Sequence, residues 1–127
     1  MMVRRTLSMV ASLSLLAVAA CDSGPSGPGS LVGRVTGDML GGVVLEVVGS
    51  GIRSFEGRGD TQAYSAQVGD KVNTHRVLLV TPVGGEIQFE ILVDDVGMEG
   101  PTMTVVSAAG TDNLTQMAAS IDVRVER

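Results

Sequence analysis

Cysteine and histidine, the side chains that most often carry chemistry, each occur once in this chain of 127 residues, as Cys21 and His75. A single histidine excludes a histidine pair or a histidine-based metal site, and it leaves His75 at best as a lone general base. Because His75 follows a polar turn, we expect it to be a solvated residue at the start of a strand. No Gly-x-Ser-x-Gly elbow marks a serine nucleophile, since Gly49-Ser50-Gly51 is typical of a turn. The sequence therefore predicts a protein that is not an enzyme and takes no cofactor.

Three carboxylates, Asp94, Asp95 and Glu99, lie within six residues around a predicted turn. Ca²⁺ takes several carboxylate and carbonyl oxygens from loops of this kind, so these residues are candidate metal ligands. They lack the ordered D-x-D-x-D-G ladder, and carboxylates at strand ends are usually solvated. Adjacent carboxylates on a strand also point to opposite faces, which disfavours a glycosidase pair. We predict no metal site, and these three residues remain the candidates if one exists.

Aromatic rings, the platforms on which sugars stack, are scarce: Phe55, Tyr64 and Phe89 are the whole supply. Alternation along the chain predicts that Phe89 faces the core, and we expect Tyr64 to lie at the edge of the core. Asn113-Leu114-Thr115 matches a glycosylation sequon, but a turn asparagine is the simpler interpretation. Carbohydrate binding is therefore an alternative function and not the leading one.

The first 21 residues have the organisation of an export signal. Arg4 and Arg5 precede an apolar stretch, Leu7 to Ala20, which ends in small residues before Cys21. This stretch is too short to cross a membrane, because a spanning helix needs roughly 20 apolar residues. We therefore predict a signal peptide over residues 1–20.

The quartet Val18-Ala19-Ala20-Cys21 resembles the lipobox of bacterial lipoproteins. The resemblance implies cleavage between Ala20 and Cys21 and acylation of the Cys21 thiol, which becomes the mature N-terminus. Residues 21–30 continue with glycine, proline and serine, a composition that stays flexible and predicts a tether of roughly 15–18 Å. The expected location is the cell envelope, with the lipid anchor at the periplasmic face of the inner or the outer membrane, or at the outer surface.

From Leu31 onward the chain shows the period-2 alternation of half-buried strands. The signal is clearest in Glu86–Asp94, where Ile87, Phe89, Ile91 and Val93 share one face, and in Ala119–Glu126, where Ala119, Ile121, Val123 and Val125 are expected to face inward. Weaker strands are Leu31–Thr36, Val43–Val48, Ile52–Glu56, Gln62–Val68, Arg76–Thr81 and Thr102–Ser107. Glycine and asparagine between them supply turns.

About eight short strands in residues 31–127 predict a single all-β domain, an antiparallel β-sandwich. Val43–Val48 is apolar on nearly both faces, which predicts a strand in the middle of the fold. The spacing of Gly42–Val47 and of Gly85–Ile91, followed by a closing hydrophobic strand, is similar to cohesin-type β-sandwich domains, which dock proteins in extracellular complexes. An immunoglobulin-like sandwich is the other expected form.

The domain is acidic, with 13 acidic and seven basic residues from residue 31 onward and hence a net charge of −6. This balance disfavours nucleic acid, and it predicts a basic protein partner. Glu86, Glu90 and Asp94 are expected to form an acidic stripe on the polar face of one strand. We therefore predict a non-catalytic interaction or structural module anchored in the cell envelope. The alternatives are a module that binds glycan or calcium and, third, a small hydrolase.

Overall fold

A computed structural model describes residues 24–127, so the predicted signal peptide, its cleavage site at Ala20 and the acylation site at Cys21 lie outside the described residues. The described part of the chain contains nine strands and one short 3₁₀ helix. The strands are β1 (Gly29–Thr36), β2 (Leu40–Val48), β3 (Ile52–Gly57), β4 (Gln62–Val68), β5 (Lys71–Val80), β6 (Ile87–Val93), β7 (Thr102–Gly110), β8 (Thr115–Gln116) and β9 (Asp122–Glu126). No helix within residues 24–127 is long and apolar enough to cross a membrane.

The strands form two antiparallel sheets, which confirms the predicted all-β sandwich. The four-stranded sheet has the order β3-β6-β1-β9, and the five-stranded sheet has the order β4-β5-β2-β7-β8. Strand β2 lies in the middle of the five-stranded sheet, as its apolar character on both faces predicts.

The core lies between the two sheets and is built by the alternation seen in the sequence. In β6 the side chains of Ile87, Phe89, Ile91 and Val93 are buried, while Gln88 and Glu90 are half-buried on the outer face. The opposing sheet contributes the inner face of β2 and β5. The buried hydrophobic residues are Leu31, Val35, Leu40, Val43, Leu45, Val47, Phe55, Val77, Leu79, Ile87, Phe89, Ile91, Val93 and Ala108. Aliphatic side chains therefore supply most of the burial that stabilises this fold.

The prediction of a last strand over Ala119–Glu126 is partly wrong. Ala119 is exposed in the 3₁₀ helix Ala118–Ser120, and the strand itself begins only at Asp122. Ile121, Val123 and Val125 are half-buried, because β9 is the outermost strand of its sheet and is covered on one side only.

Several strand boundaries also differ from the predicted ones, and one short strand was not predicted. Strand β1 starts at Gly29, inside the predicted tether, because Gly29 and Ser30 pair with Val93 and Leu92. Strand β5 starts five residues before the predicted Arg76. Strand β8 has only two residues, too few for an alternation to be recognised.

Two turns have the backbone conformation that the sequence predicts. Gly51, in the turn between β2 and β3, has φ 71°, and Asn113, between β7 and β8, has φ 63°. These left-handed angles favour glycine and asparagine. The interpretations of Gly49-Ser50-Gly51 as a turn and of Asn113 as a turn asparagine are confirmed.

The antiparallel strands give the sandwich two distinct ends. The end where the chain enters β1 we call the proximal end; it also contains the β2–β3 and β4–β5 turns and the loop 94–101. Backbone hydrogen bonds tie it together, from Asp94 N–H to Gly51 O (2.8 Å) and from Val96 N–H to Gly27 O (2.9 Å). The opposite end, which we call the distal end, consists of the loops 37–39, 58–61, 82–86 and 111–114, and of Met117.

Candidate functional site

The three candidate metal ligands lie at the proximal end, and their carboxylates are engaged separately. Asp94 forms an ion pair with Arg53. Asp95 accepts hydrogen bonds from the backbone N–H groups of Gly97 (2.8 Å) and Gly27 (2.9 Å), which lower the pKa of its carboxyl group below the usual value. Glu99 is exposed. Within residues 24–127 no group of three or more acidic, histidine or cysteine side chains is arranged to hold a metal ion. Asp95 instead fastens the segment before β1 to the loop after β6.

His75 lies inside β5 and not at its start, because that strand begins earlier than predicted. It pairs with Val47 across the sheet and is half-buried. Its ring meets the edge of Phe55 from the other sheet, with 5.6 Å between the ring centroids. This packing against an aromatic ring places His75 at the margin of the core, which is a structural position.

Tyr64 is not at the core edge, as the sequence suggested, but lies on the outer face of β4. It is 56% exposed, and its hydroxyl donates to Gln62 Oε1 at 2.7 Å. Its cross-strand neighbour Leu78 is also exposed, as are Val80 and Val106. These four residues and Val44 form an outer surface of the five-stranded sheet that we call the apolar face.

The outer face of the four-stranded sheet, which we call the charged face, has the opposite character. The pairing of β1 with β6 and β9 places a row of arginines between two rows of carboxylates. Arg124 of β9 lies opposite Arg34 of β1, which in turn lies opposite Gln88 of β6. On the far side of Gln88, Arg58 N–H donates to the Gln88 backbone carbonyl, so the arginines follow one line across the sheet. The flanking carboxylates belong to Glu56, Glu90 and Glu126 on one side and to Glu86 and Asp122 on the other.

The predicted acidic stripe is therefore paired with arginines. Arg34 Nη1 lies 2.9 Å from Glu86 Oε1, Arg58 Nε lies 3.9 Å from Glu90 Oε1, and Asp94 pairs with Arg53. Exposed pairs of this kind each contribute only about 0–1 kcal/mol to stability. Their main consequence is electrostatic, because they neutralise the strand on which the acidic excess was expected.

Three of the four distal loops, 37–39, 82–86 and 111–114, hold one another in place. Thr111 N–H donates to Met39 O at 2.8 Å, which joins the β7–β8 turn to the β1–β2 turn. The Gln116 side chain donates to Asp38 O at 2.5 Å. Gly84, in the β5–β6 loop, fits closely: a Cβ there would lie 3.2 Å from Thr111 Cγ2 and 3.4 Å from Met39 Cα. The loops thus form one continuous surface.

That surface exposes large apolar side chains. Met117 is 77% exposed, Leu114 67%, Val83 63% and Met39 61%, and only Val72 among the other large hydrophobic residues in 24–127 is exposed to this extent. Met39 also has φ 50°, a left-handed conformation that methionine rarely adopts and that costs of order 1–3 kcal/mol. Exposed apolar groups and local strain together are typical of interaction surfaces.

The distal end also carries acidic groups. Asp38, Asp60 and Asp112 come from three different loops, and none of them forms an ion pair with another described residue. Asp60 also lines a cleft of about 400 Å³ formed by the loops 58–61 and 81–86, with Gln88 at its margin. The distal end is therefore apolar and acidic together, and it is the candidate functional site.

Sequence reasoning missed this site because its residues are far apart in the chain and lie in segments without periodicity. The only local signals are apolar residues next to turn residues, as in Asp38-Met39 and Asn113-Leu114. The chain matches no protein-family model, and neither the curated proteins nor the solved structures contain a significantly similar chain.

Proposed function

We propose that this protein is a lipid-anchored, non-catalytic interaction module of the bacterial cell envelope that binds a protein partner through its distal end. The observation that carries the proposal is the position of the acidic and apolar distal loops at the end of the sandwich opposite the point where the chain enters β1. An anchor at Cys21 would hold the proximal end next to the membrane and present the distal end to other envelope proteins.

The lipobox-like quartet and the glycine- and proline-rich segment after it support the anchor. Residues 22–26 separate Cys21 from Gly27, where hydrogen bonds with Asp95 and Val96 hold the chain to the proximal end, so the anchor would lie close to that end. Confinement to a thin layer raises the effective concentration of the domain toward its membrane neighbours. A weak binding surface can therefore suffice.

The chemistry of the distal end supports a partner with basic groups around an apolar patch. Asp38, Asp60 and Asp112 would steer such a partner, and Leu114 and Met117 would provide the contact that excludes water. Because the arginines of the charged face pair with four of its five carboxylates, the distal end is where unpaired acidic groups meet exposed apolar surface. The cohesin-like spacing of the strands fits a docking role by analogy of fold alone.

Replacing Cys21 should abolish lipidation. Cells fed an alkyne-labelled fatty acid should label the wild-type protein and leave Cys21→Ser unlabelled, because Cys21 is the only thiol in the chain. The matched control is Cys21→Ser with Ser23→Cys, which keeps a thiol but moves it out of the quartet. Mass spectrometry should find an acylated Cys21 at the mature N-terminus. Labelling of the control, or a mature chain that starts at another residue, would contradict the anchor.

A photocrosslinking residue at Leu114 should capture a partner in living cells. The matched control site is Val72, which is 73% exposed but lies at the proximal end. We expect a discrete adduct from Leu114 and none from Val72. Asp38, Asp60 and Asp112 changed together to asparagine should weaken the Leu114 adduct, as should salt well above 0.1 M, where the Debye length falls below ~10 Å. Identical adducts from both sites would show that the distal end is not the binding surface.

A further inference from the structure

The two sheets have four edge strands, and three of them carry features that discourage pairing with another chain. Strand β3 carries Arg53 and Glu56, and β9 carries three charged residues. Strand β8 has only two residues. The part of β7 that extends past β8 is interrupted by a bulge at Val106.

Strand β4 (Gln62–Val68) has none of these features over Gln62–Gln67, and its pairing with β5 is irregular only at Val68, beside the β4–β5 turn. Its seven residues contain no charge, no proline and no glycine, and five of them are exposed. Within residues 24–127 it pairs with β5 alone, so alternate backbone N–H and C=O groups along its other side point outward. A long, uncharged edge strand is the template for strand addition.

The side chains along β4 also suit an added strand. Tyr64 lies at its centre and continues the apolar face through Leu78. At the distal end of the strand is a cleft of about 540 Å³, lined by residues 59–62 with Val80 and Pro82, which shares Asp60 with the distal-end site. In strand addition the backbone provides the hydrogen bonds, and side-chain pockets of this kind provide the selectivity.

We propose that β4 is a second binding site, which takes up an uncharged, extended segment of another protein as an added strand beside Tyr64. The proposal rests on the anchored orientation argued above, because that orientation decides the occupant. The chain's own N-terminal segment is too short, since processing at Cys21 leaves only Cys21–Ser23 ahead of the described residues. The added strand therefore comes from a different chain.

A second copy of this protein fits less well than a different protein. Antiparallel pairing of β4 with itself would place the two proximal ends at opposite ends of the joined sheet. Strand β5 has ten residues and spans roughly 33 Å, whereas the five residues 22–26 ahead of the hydrogen-bonded Gly27 reach at most about 18 Å when fully extended. In the upright orientation proposed above, with the distal end facing away from the membrane, two anchors in one membrane are therefore hard to combine with that pairing.

The test uses the detergent-extracted, processed protein and a displayed library of random heptapeptides. We expect enrichment of uncharged peptides that alternate β-branched or apolar residues with small polar ones. Tyr64 is the only tyrosine and the chain has no tryptophan, so protein fluorescence reports directly on the centre of β4. A selected peptide that contains neither tyrosine nor tryptophan should change the fluorescence of Tyr64. A copy of the peptide methylated on alternate backbone nitrogens should not bind, because it lacks the N–H groups that pair with β4.

Ser65→Lys adds a charge in the middle of the edge and should weaken binding of the selected peptide by about tenfold or more. The matched control, Thr104→Lys, adds the same charge to an exposed position on β7, which lies toward the opposite edge of the same sheet. It should leave the affinity for the selected peptide within about twofold of the wild-type value. Circular dichroism should show that both variants are folded.

Equal binding of the peptide to Ser65→Lys, equal binding of the methylated copy, or no enrichment at all would each overturn the proposal. The proposal would also be overturned if the protein self-associates and Ser65→Lys abolishes that self-association, because a second copy would then be the occupant. Because Leu114 crosslinking does not involve β4, failure here and failure of the distal-end proposal are separate results.

Discussion

Phe89→Ala should lower the free energy of unfolding by about 3–5 kcal/mol, enough to leave a domain of ordinary stability barely folded. Phe89 is the largest fully buried side chain of the described core, with 0% of its surface exposed, and it lies at the centre of β6. Its loss removes the burial of an aromatic ring and leaves a cavity that a close-packed interior fills only in part. Urea unfolding followed by far-ultraviolet circular dichroism measures the effect.

The adjacent residue provides the control. Gln88 is on the same strand but on the charged face, where its side chain contacts Glu86 at 3.3 Å. Gln88→Ala should change stability by no more than about 0.5 kcal/mol, because exposed polar substitutions rarely do more. Similar small losses at both positions would mean that the ring of Phe89 is not at the centre of the core.

The contrast between these two residues also shows how much of the fold could be predicted from the sequence. Alternation is a local property, so β6 and its buried face are legible in nine consecutive residues. At Ala119 the same argument fails. The alternation there continues through a 3₁₀ turn, and alanine is too small to show by its type which side it faces.

The surfaces were less predictable than the core because they depend on register. Glu86 is an acidic residue in the sequence, but the pairing of β1 with β6 places Arg34 beside it from 52 positions away. The hydrogen bond to Glu86 and the charge of Glu126 raise the pKa of Arg34 above its usual value. Periodicity gives the direction of a side chain but not its cross-strand neighbour, so the sequence showed an acidic stripe where the fold has ion pairs.

The distal end and the β4 edge depend on topology in the same way. Met39, Val83 and Leu114 become neighbours only when three loops converge, and no pattern within any one loop indicates this. An uncharged β4 was visible in the sequence, but its significance depends on its place at the edge of a sheet. Had β4 been a central strand, the same residues would have carried no binding proposal.

Gly33→Ala should destabilise the protein by about 1–3 kcal/mol, although alanine is intrinsically the better strand residue. Gly33 lies directly opposite Phe89 in the pairing of β1 with β6, and a Cβ on Gly33 would overlap the Phe89 ring. The ring is fully buried and held on all sides, so it cannot move away without disturbing the core. The same substitution at Gly42 in β2 is the control, because a Cβ there lies 3.6 Å from the nearest atom and should cost little.

A double-mutant cycle tests whether the ring itself is the cause. If Phe89 occupies the space that a side chain at Gly33 needs, then Gly33→Ala should become neutral or stabilising once Phe89→Ala has removed the ring. The loss of unfolding free energy in the double variant Gly33→Ala/Phe89→Ala should therefore differ from the sum of the two single losses by about 1–3 kcal/mol. For Gly42→Ala and Phe89→Ala the double loss should equal the sum to within about 0.5 kcal/mol. Additive losses at Gly33 and Phe89 would contradict this explanation and would place the cost of Gly33→Ala in the backbone of β1. Coupling at Gly33 without coupling at Gly42 would show that the absence of a side chain at Gly33 leaves the space that the ring of Phe89 occupies.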